Sequence, residues 1–168
     1  MSGPLPPGPM RGYYRINSPI GVSAMETVSV LLARKRGDVL KVVPATTVLD
    51  AARMMNEREV GSVLVVQDGN LVGIFTERDL MRRVVARDLL PGTTRVGDVM
   101  TSSLVTCTPE AKIADCNAIM SERRIRHLPV IDLKGVVGVI TTGDLLAHEM
   151  HEQESTIHHL EAFVFNGR

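Results

Sequence analysis

At 168 residues, 44% of them hydrophobic, the chain has the size and composition of one globular domain, which buries about two thirds of its unfolded surface. Lys and Arg together number 19, as do Asp and Glu, so the net charge is zero and a general nucleic-acid or membrane-surface binder is excluded. With no Trp, two Tyr and three Phe, the chain has few rings to stack on a base, and any base held here would lie between aliphatic side chains.

Residues 1–24 hold five of the nine prolines and four of the fourteen glycines, and a disordered or loosely docking lead-in is expected there. Met25 to Arg36 reads as a short helix stopped by Gly37, with Arg34, Lys35 and Arg36 in the last turn, where positive charge is favoured. Val39 to Val43 follows as an apolar strand. Thr47 then caps a helix running to Arg58, with Val48, Ala51, Ala52 and Met55 recurring along the face that would lie on a sheet. Ser62 to Val66 and Leu71 to Phe75 read as strands joined through Asp68-Gly69, a hairpin signal. Glu77 to Arg87 reads as a helix, and residues 90–94 form a linker. The order then repeats: strand Leu104 to Thr108, helix Ile113 to Arg123, strands His127 to Asp132 and Val136 to Ile140, and helix Gly143 to His148. Glu149 to Val164 reads as a further helix with Met150, Ile157, Leu160 and Val164 along one side.

The two halves are copies. One offset, 65 positions, carries Pro44 onto Pro109, Asp50 onto Asp115, Met55 onto Met120 and Val65 onto Val130, with no gap from Val43 to Met81. The same offset superposes Gly73, Thr76 and Asp79 on Gly138, Thr141 and Asp144. In each copy a strand ends in a Thr that opens a helix, where free N–H groups and the positive end of the helix dipole favour an anion. The glycine three residues earlier admits a close approach by backbone or ligand. The aspartate one turn later can accept from two hydroxyls. The same Thr-x-x-Asp spacing is also a capping box, and Thr47-x-x-Asp50 shows it without any upstream glycine.

These residues resemble the cystathionine-β-synthase-type (CBS) domain present as a tandem pair, a Bateman module of the stand-alone bacterial signalling type. The carrying residues are Pro44, Val48-Leu49-Asp50-Ala51-Ala52, Met55, residues 60–66 and the Gly73 phrase; in the second copy they are Val99-Met100-Thr101, residues 125–132 and the Gly138 phrase. The resemblance covers residues 28–147. It implies a mixed α/β fold, two β-α-β-β-α units about a pseudo-twofold axis, divided as lead-in 1–24, units 25–90 and 91–148, and tail 149–168. It also implies a ligand-sensing module that binds an adenine nucleotide such as AMP, ATP or NAD(H), forms homodimers, and passes its output to a separate effector protein.

Carried onto this chain, the resemblance places Thr76 and Thr141 at a phosphate and Asp79 and Asp144 on ribose hydroxyls. Gly73 and Gly138 admit the ligand, and Val42 and Val105 border the base. Arg126, with His127 beside it, matches a phosphate-reaching position, whereas the first copy has uncharged Gly61 and Ser62 there; Arg78 conversely aligns with Gly143. The Thr141/Asp144 cleft, backed by Arg126, is therefore expected to be the better phosphate site.

For catalysis there is little. No Walker or dinucleotide glycine motif occurs, His127 is the only His within residues 28–147, and the spacing of Cys107 and Cys116 fits two buried free thiols. No enzyme activity, catalytic residue, cofactor or metal is expected. His148 and His151, with Glu149, Glu152, His158 and His159, read as a polar helix face, because i and i+3 is not the zinc-protease spacing. No run of about 18 apolar residues and no apolar signal core occurs, so a cytoplasmic protein with no nucleic-acid or membrane partner is expected. The alternative is an interaction or structural module in which both Thr-x-x-Asp phrases are only caps and the tail helix is the working surface.

Overall fold

A computed structural model of the chain describes residues 13–16, 26–35 and 38–165, with side chains for 26–35 and 38–154. Two sheets carry the expected duplication. The first has strands β2 (Lys41–Val42), β3 (Ser62–Gln67) and β4 (Asn70–Thr76), with β2 parallel to β3 and β3 antiparallel to β4. The second orders β1 (Tyr13–Ile16), β5 (Leu104–Cys107), β6 (His127–Asp132) and β7 (Gly135–Thr141), parallel except for the β6–β7 hairpin. Both hairpins shift register at the same repeat position, between Val65 and Val66 and between Val130 and Ile131. Asp68 and Gly69 both have positive φ, 50° and 77°, which the Asp-Gly pair tolerates at a tight hairpin turn.

Helices α2 (Val48–Glu57) and α5 (Ile113–Arg123) cover their sheets. Val48, Ala51 and Met55 are buried from α2, as are Ile113, Cys116 and Met120 from α5. Each unit's core is closed by the short helix that precedes the other unit. Helix α1 (Val28–Arg34) puts Val28 and Leu31 among the second unit's core residues, and α4 (Val96–Val99) puts Val96 and Val99 in the first. Each core thus draws on residues from both sides of position 90. A third cluster, built on Leu64, Leu71, Ile74 and Leu104, joins the two sheets.

This exchange explains the two glycines. A Cβ on Gly73 would lie 2.3 Å from Met100 Sδ, and one on Gly138 would lie 2.4 Å from Leu32 Cδ2. Met100 directly follows α4 and Leu32 lies in the last turn of α1, so each glycine makes room for a protein side chain from an exchanged helix.

Several elements differ from the sequence reading. Tyr13–Ile16, inside the expected lead-in, pairs in parallel along β5, whose edge offers unused N–H and C=O groups to a β-prone stretch. The Val39–Val43 strand shortens to Lys41–Val42, with Val43 exposed. The Glu77–Arg87 helix is α-helical only at α3 (Glu77–Asp79), then widens to a π turn over Leu80–Val84 and tightens to a 3-10 turn over Val85–Arg87, ending at left-handed Asp88. The two expected tail helices are one, α6 (Thr142–Phe165), because no Gly or Pro interrupts residues 144–165. The proposed Gly37 stop, and the side chains of Ile157, Leu160 and Val164, lie outside the described residues.

Candidate functional site

Both phrases form full capping boxes. Thr76 donates from its backbone N–H (3.0 Å) and its hydroxyl (2.8 Å) to Asp79 Oδ2, and accepts at Oγ1 from the Asp79 N–H (3.3 Å). Thr141 and Asp144 reproduce these bonds at 2.6, 2.8 and 3.2 Å. Thr47 and Asp50 make the hydroxyl–carboxylate and backbone–hydroxyl contacts as well, at 2.7 and 3.1 Å. The cap alone therefore says nothing about a ligand. What separates the phrases is their surroundings: Asp50 is exposed, whereas Asp79 is buried.

A cleft of about 440 Å³ opens beside the first phrase, lined by Thr76, Asp79, Arg78, Arg82 and Arg126, with Ile74, Met81 and Ile125 as its aliphatic walls. A second, of about 390 Å³, opens beside Gly138 and Thr141, between Lys35, Val39, Leu40, Glu59 and Val60. Gly61 and His127 line both. Each cleft is thus built from one unit's phrase and the other unit's residues just before its hairpin. A Cβ on Gly61 would sit 3.4 Å from His127 Nε2, so the two units meet closely at this point.

The crossing reverses the expected pairing. Arg126 faces the Thr76/Asp79 cleft, not Thr141 and Asp144, and Arg78 Nη1 donates to the Arg124 carbonyl at 3.0 Å, tying the first phrase to the second unit. His127 pairs across the hairpin with Thr141 and lines both clefts, whereas Arg126, just before β6, lines only the first. Three arginines and two carboxylates, Glu77 and Asp79, line the first cleft. In the second the only Lys or Arg among the described lining residues is Lys35, set against Asp38 and Glu59.

The aspartates are also engaged differently. Asp79 Oδ1 accepts from Thr101 Oγ1 (3.2 Å) and lies 3.4 Å from Arg83 Nε, whose guanidinium is held by the Val99 and Met100 carbonyls at 2.9 and 2.5 Å. Asp144 Oδ2 instead takes the Lys35 ammonium at 2.7 Å, which also donates to the Val139 carbonyl at 2.7 Å. Asp79 lines its cleft; Asp144 lies behind Lys35 and does not. Burial, with Arg126, Lys35 and Arg78 nearby, lowers the His127 pKa against the opposing pull of Glu77, so the ring is neutral at neutral pH.

Val42 and Val105 do not border either cleft. Val42 is buried in the first unit's core and Val105 packs on the second's, because β2 and β5 begin beyond the cleft mouth; Val39 and Leu40 occupy the position instead. Sequence reasoning missed Lys35, Thr101, Arg82 and Arg83. Thr101 alone carried a signal, in the Val99-Met100-Thr101 run.

In the tail, His148 is buried and His151 exposed, so they do not share a face. Glu26, His148 and Glu152 bring ligand-type atoms within 4.8 Å of one another. Arg34 Nη1 meets His148 Nδ1 at 3.3 Å, which leaves the ring proton on Nε2, directed at Glu26 Oε2. Arg34, His148 and Glu26 thereby fasten helix α1 and the residues just before it to α6. Cys107 and Cys116 are buried and unbridged, and their mutual hydrogen bond together with burial pushes the Cys107 thiol far above its usual range. Among the described residues no helix is long and apolar enough to cross a membrane.

The CBS domain family model matches residues 32–86 and 96–151. The mitochondrial CBS domain-containing protein CBSX3 of Arabidopsis thaliana is 38% identical over 126 residues, which cover 72% of this chain and 61% of that protein's length. A CBS-domain protein from Burkholderia ambifaria has a similar structure, with a TM-score of 0.73 and 35% identity over 76% of this chain and 96% of that one. The CBS domain pair of protein MJ0100, in complex with 5′-methylthioadenosine and S-adenosyl-L-methionine, shares the fold at a TM-score of 0.68 and 21% identity, covering 77% of this chain and 99% of that one.

Proposed function

The chain belongs to the CBS-domain family, and from that premise we propose that it is a regulatory module binding an adenine nucleotide in the Thr76/Asp79 cleft. The observation that carries this is the company of the cap: Thr76 and Asp79 share a cleft with Arg78, Arg82 and Arg126, whereas Thr47 and Asp50 make two of the three cap bonds with an exposed carboxylate. Arginines converging on one cleft favour a phosphate, which takes paired N–H donors from a guanidinium. Ribose hydroxyls meet Asp79 Oδ1 beside the Thr101 hydroxyl, and the base lies between Ile74, Met81 and Ile125. The adenosine compounds held by the MJ0100 pair, which has the same fold, support the ligand class.

No catalytic step is assigned. Binding acts by differential affinity: each cleft spans both units, so a ligand favours the arrangement in which they are clamped, and one that binds both arrangements equally switches nothing. The test is a thermal-shift panel with AMP, ADP, ATP, NAD(H) and S-adenosylmethionine on the parent chain, Arg126→Ala and Asp144→Ala. Ligand at a hundred times its dissociation constant adds about 2.7 kcal/mol. For ATP, loss of that stabilisation in Arg126→Ala but not in Asp144→Ala is expected; a flat panel refutes the reading.

One observation favours a second copy as partner. Met81 and Val85 are 61% and 54% exposed, and their repeat equivalents Leu146 and Met150 are 59% and 55% exposed. The same apolar pair, displayed on both units, gives the matched halves of a self-complementary interface, and we propose a homodimer built on it. An effector protein and a cytoplasmic location complete the proposed reading.

A further inference from the structure

We propose that Lys35 is an internal latch on the Thr141/Asp144 cleft, and that this cleft takes a nucleoside monophosphate by exchanging the latch for the ligand. The inference rests on reading the clefts as nucleotide sites. In the first unit, Thr101 donates its N–H to the Ile74 carbonyl (2.9 Å) and its hydroxyl to Asp79 Oδ1. In the second, Lys35 alone does both: its ammonium bonds the Val139 carbonyl, the equivalent of Ile74, and Asp144.

The substitution is not neutral for a ligand. Thr101 leaves Asp79 lining its cleft, whereas the ammonium on Asp144 Oδ2 stands between that carboxylate and the cleft, which Lys35 itself lines. Oδ2 accepts from Thr141 N and Oγ1 as Asp79 Oδ2 does from Thr76, but Lys35 lines the cleft and Asp144 does not, so a ribose reaches this carboxylate only when Lys35 moves aside. Lys35 is about a third exposed and sits on a long flexible stem, so it can swing away.

The displaced ammonium needs an anion. A 5′-phosphate supplies it while the ribose replaces it on Asp144. Since the other formal charges lining this cleft are Asp38 and Glu59, a single phosphate fits better than a triphosphate. A triphosphate belongs in the cleft with three arginines. Lys35 directly follows α1, which packs in the second unit's core and leads into the first unit's β2, so the exchange is felt at the connection between the units.

The experiment is a calorimetric titration of the full chain with AMP and with adenosine. It uses Lys35 and Lys35→Met forms, each with and without Arg126→Glu to suppress the first cleft. In the Arg126→Glu chain AMP is expected to bind about five- to tenfold tighter than adenosine. With Lys35→Met added, adenosine tightens by a similar factor, because Asp144 is uncovered, and AMP loses its lead. A Lys35→Met change that leaves both ligands unaltered, or weakens both in parallel, overturns the latch. So does an Arg126→Glu chain that binds neither ligand with or without Lys35, while the parent binds one equivalent. If the parent also binds nothing, the nucleotide reading falls as well.

Discussion

Gly73→Ala tests the exchanged-helix packing in one atom. Gly73 does not adopt positive φ, so alanine brings no backbone strain there. Its methyl would instead meet Met100, 2.3 Å from Sδ, 2.9 Å from Cγ and 3.2 Å from Cε, against the roughly 3.5–4.0 Å of an ordinary contact. Because Cγ is involved, rotating the end of the side chain is insufficient, and the whole Met100 side chain must leave its place between β4 and α4. Overpacking of this kind costs about 1–3 kcal/mol, and we expect about 2. Gly138→Ala is milder: its methyl meets Leu32 Cδ2 at 2.4 Å, but Cγ and Cδ1 stand at 3.6 and 3.7 Å, so one methyl swing relieves it at about 1 kcal/mol. In a chain of this size these convert to melting-temperature losses of about 4–8 °C and about 2–4 °C. Thermal and urea unfolding followed by circular dichroism read both values. In a Met100→Ala background the Gly73→Ala cost should largely vanish, a coupling of at least about 1 kcal/mol. An unchanged cost in that background would refute the packing account and return Gly73 to the role of admitting a ligand.

The dimer face gives a second prediction. Met81→Glu with Leu146→Glu places charge on both apolar pairs and should convert a dimer to a monomer in sedimentation velocity and remove the concentration dependence of the melting temperature, with the circular dichroism spectrum retained; a persistent dimer places the interface elsewhere. His127 gives a third. Its pKa is lower folded than unfolded, so the unfolded chain binds the extra proton first, and stability falls as pH drops through about 6.5 toward the lower folded value. The urea midpoint of the parent should fall more between pH 7.5 and 5.5 than that of His127→Gln, and parallel losses would exclude the histidine. The thiols give a fourth: buried Cys107 and Cys116 should react with maleimide at the rate of unfolding in native buffer and at once in denaturant. Rapid native reaction would mean that the core around them opens locally.

The duplication was legible because hydrophobic spacing and the Asp-Gly turn are local, and one offset aligned them; the two sheets, α2, α5 and both hairpins follow from it. The Thr–Asp caps were legible for the same reason, since they span three residues. What stayed hidden depends on contacts between the copies. Arg126 precedes the strand that pairs with Thr141, so chain order put it in the wrong cleft; only the crossing of the units turns it toward Thr76. Lys35 read as the last turn of a surface helix, and nothing in a lone lysine foretells that its ammonium will lie on Asp144, more than a hundred residues away. Likewise Gly73 signals a close approach, but the sequence does not say that Met100 makes it. Helix α4 escaped notice because four residues are too few to show a period.

The most direct measurement is a calorimetric titration of ATP into the parent chain and into Arg126→Glu, at two salt concentrations. The account predicts saturable binding by the parent that weakens with salt, as expected when arginines meet phosphates. It also predicts a loss of at least about tenfold in affinity, or about 1.4 kcal/mol, on reversing that one charge. ATP binding that is indifferent to Arg126→Glu, and lost instead in Asp144→Ala, would contradict it by placing the polyphosphate site in the other cleft.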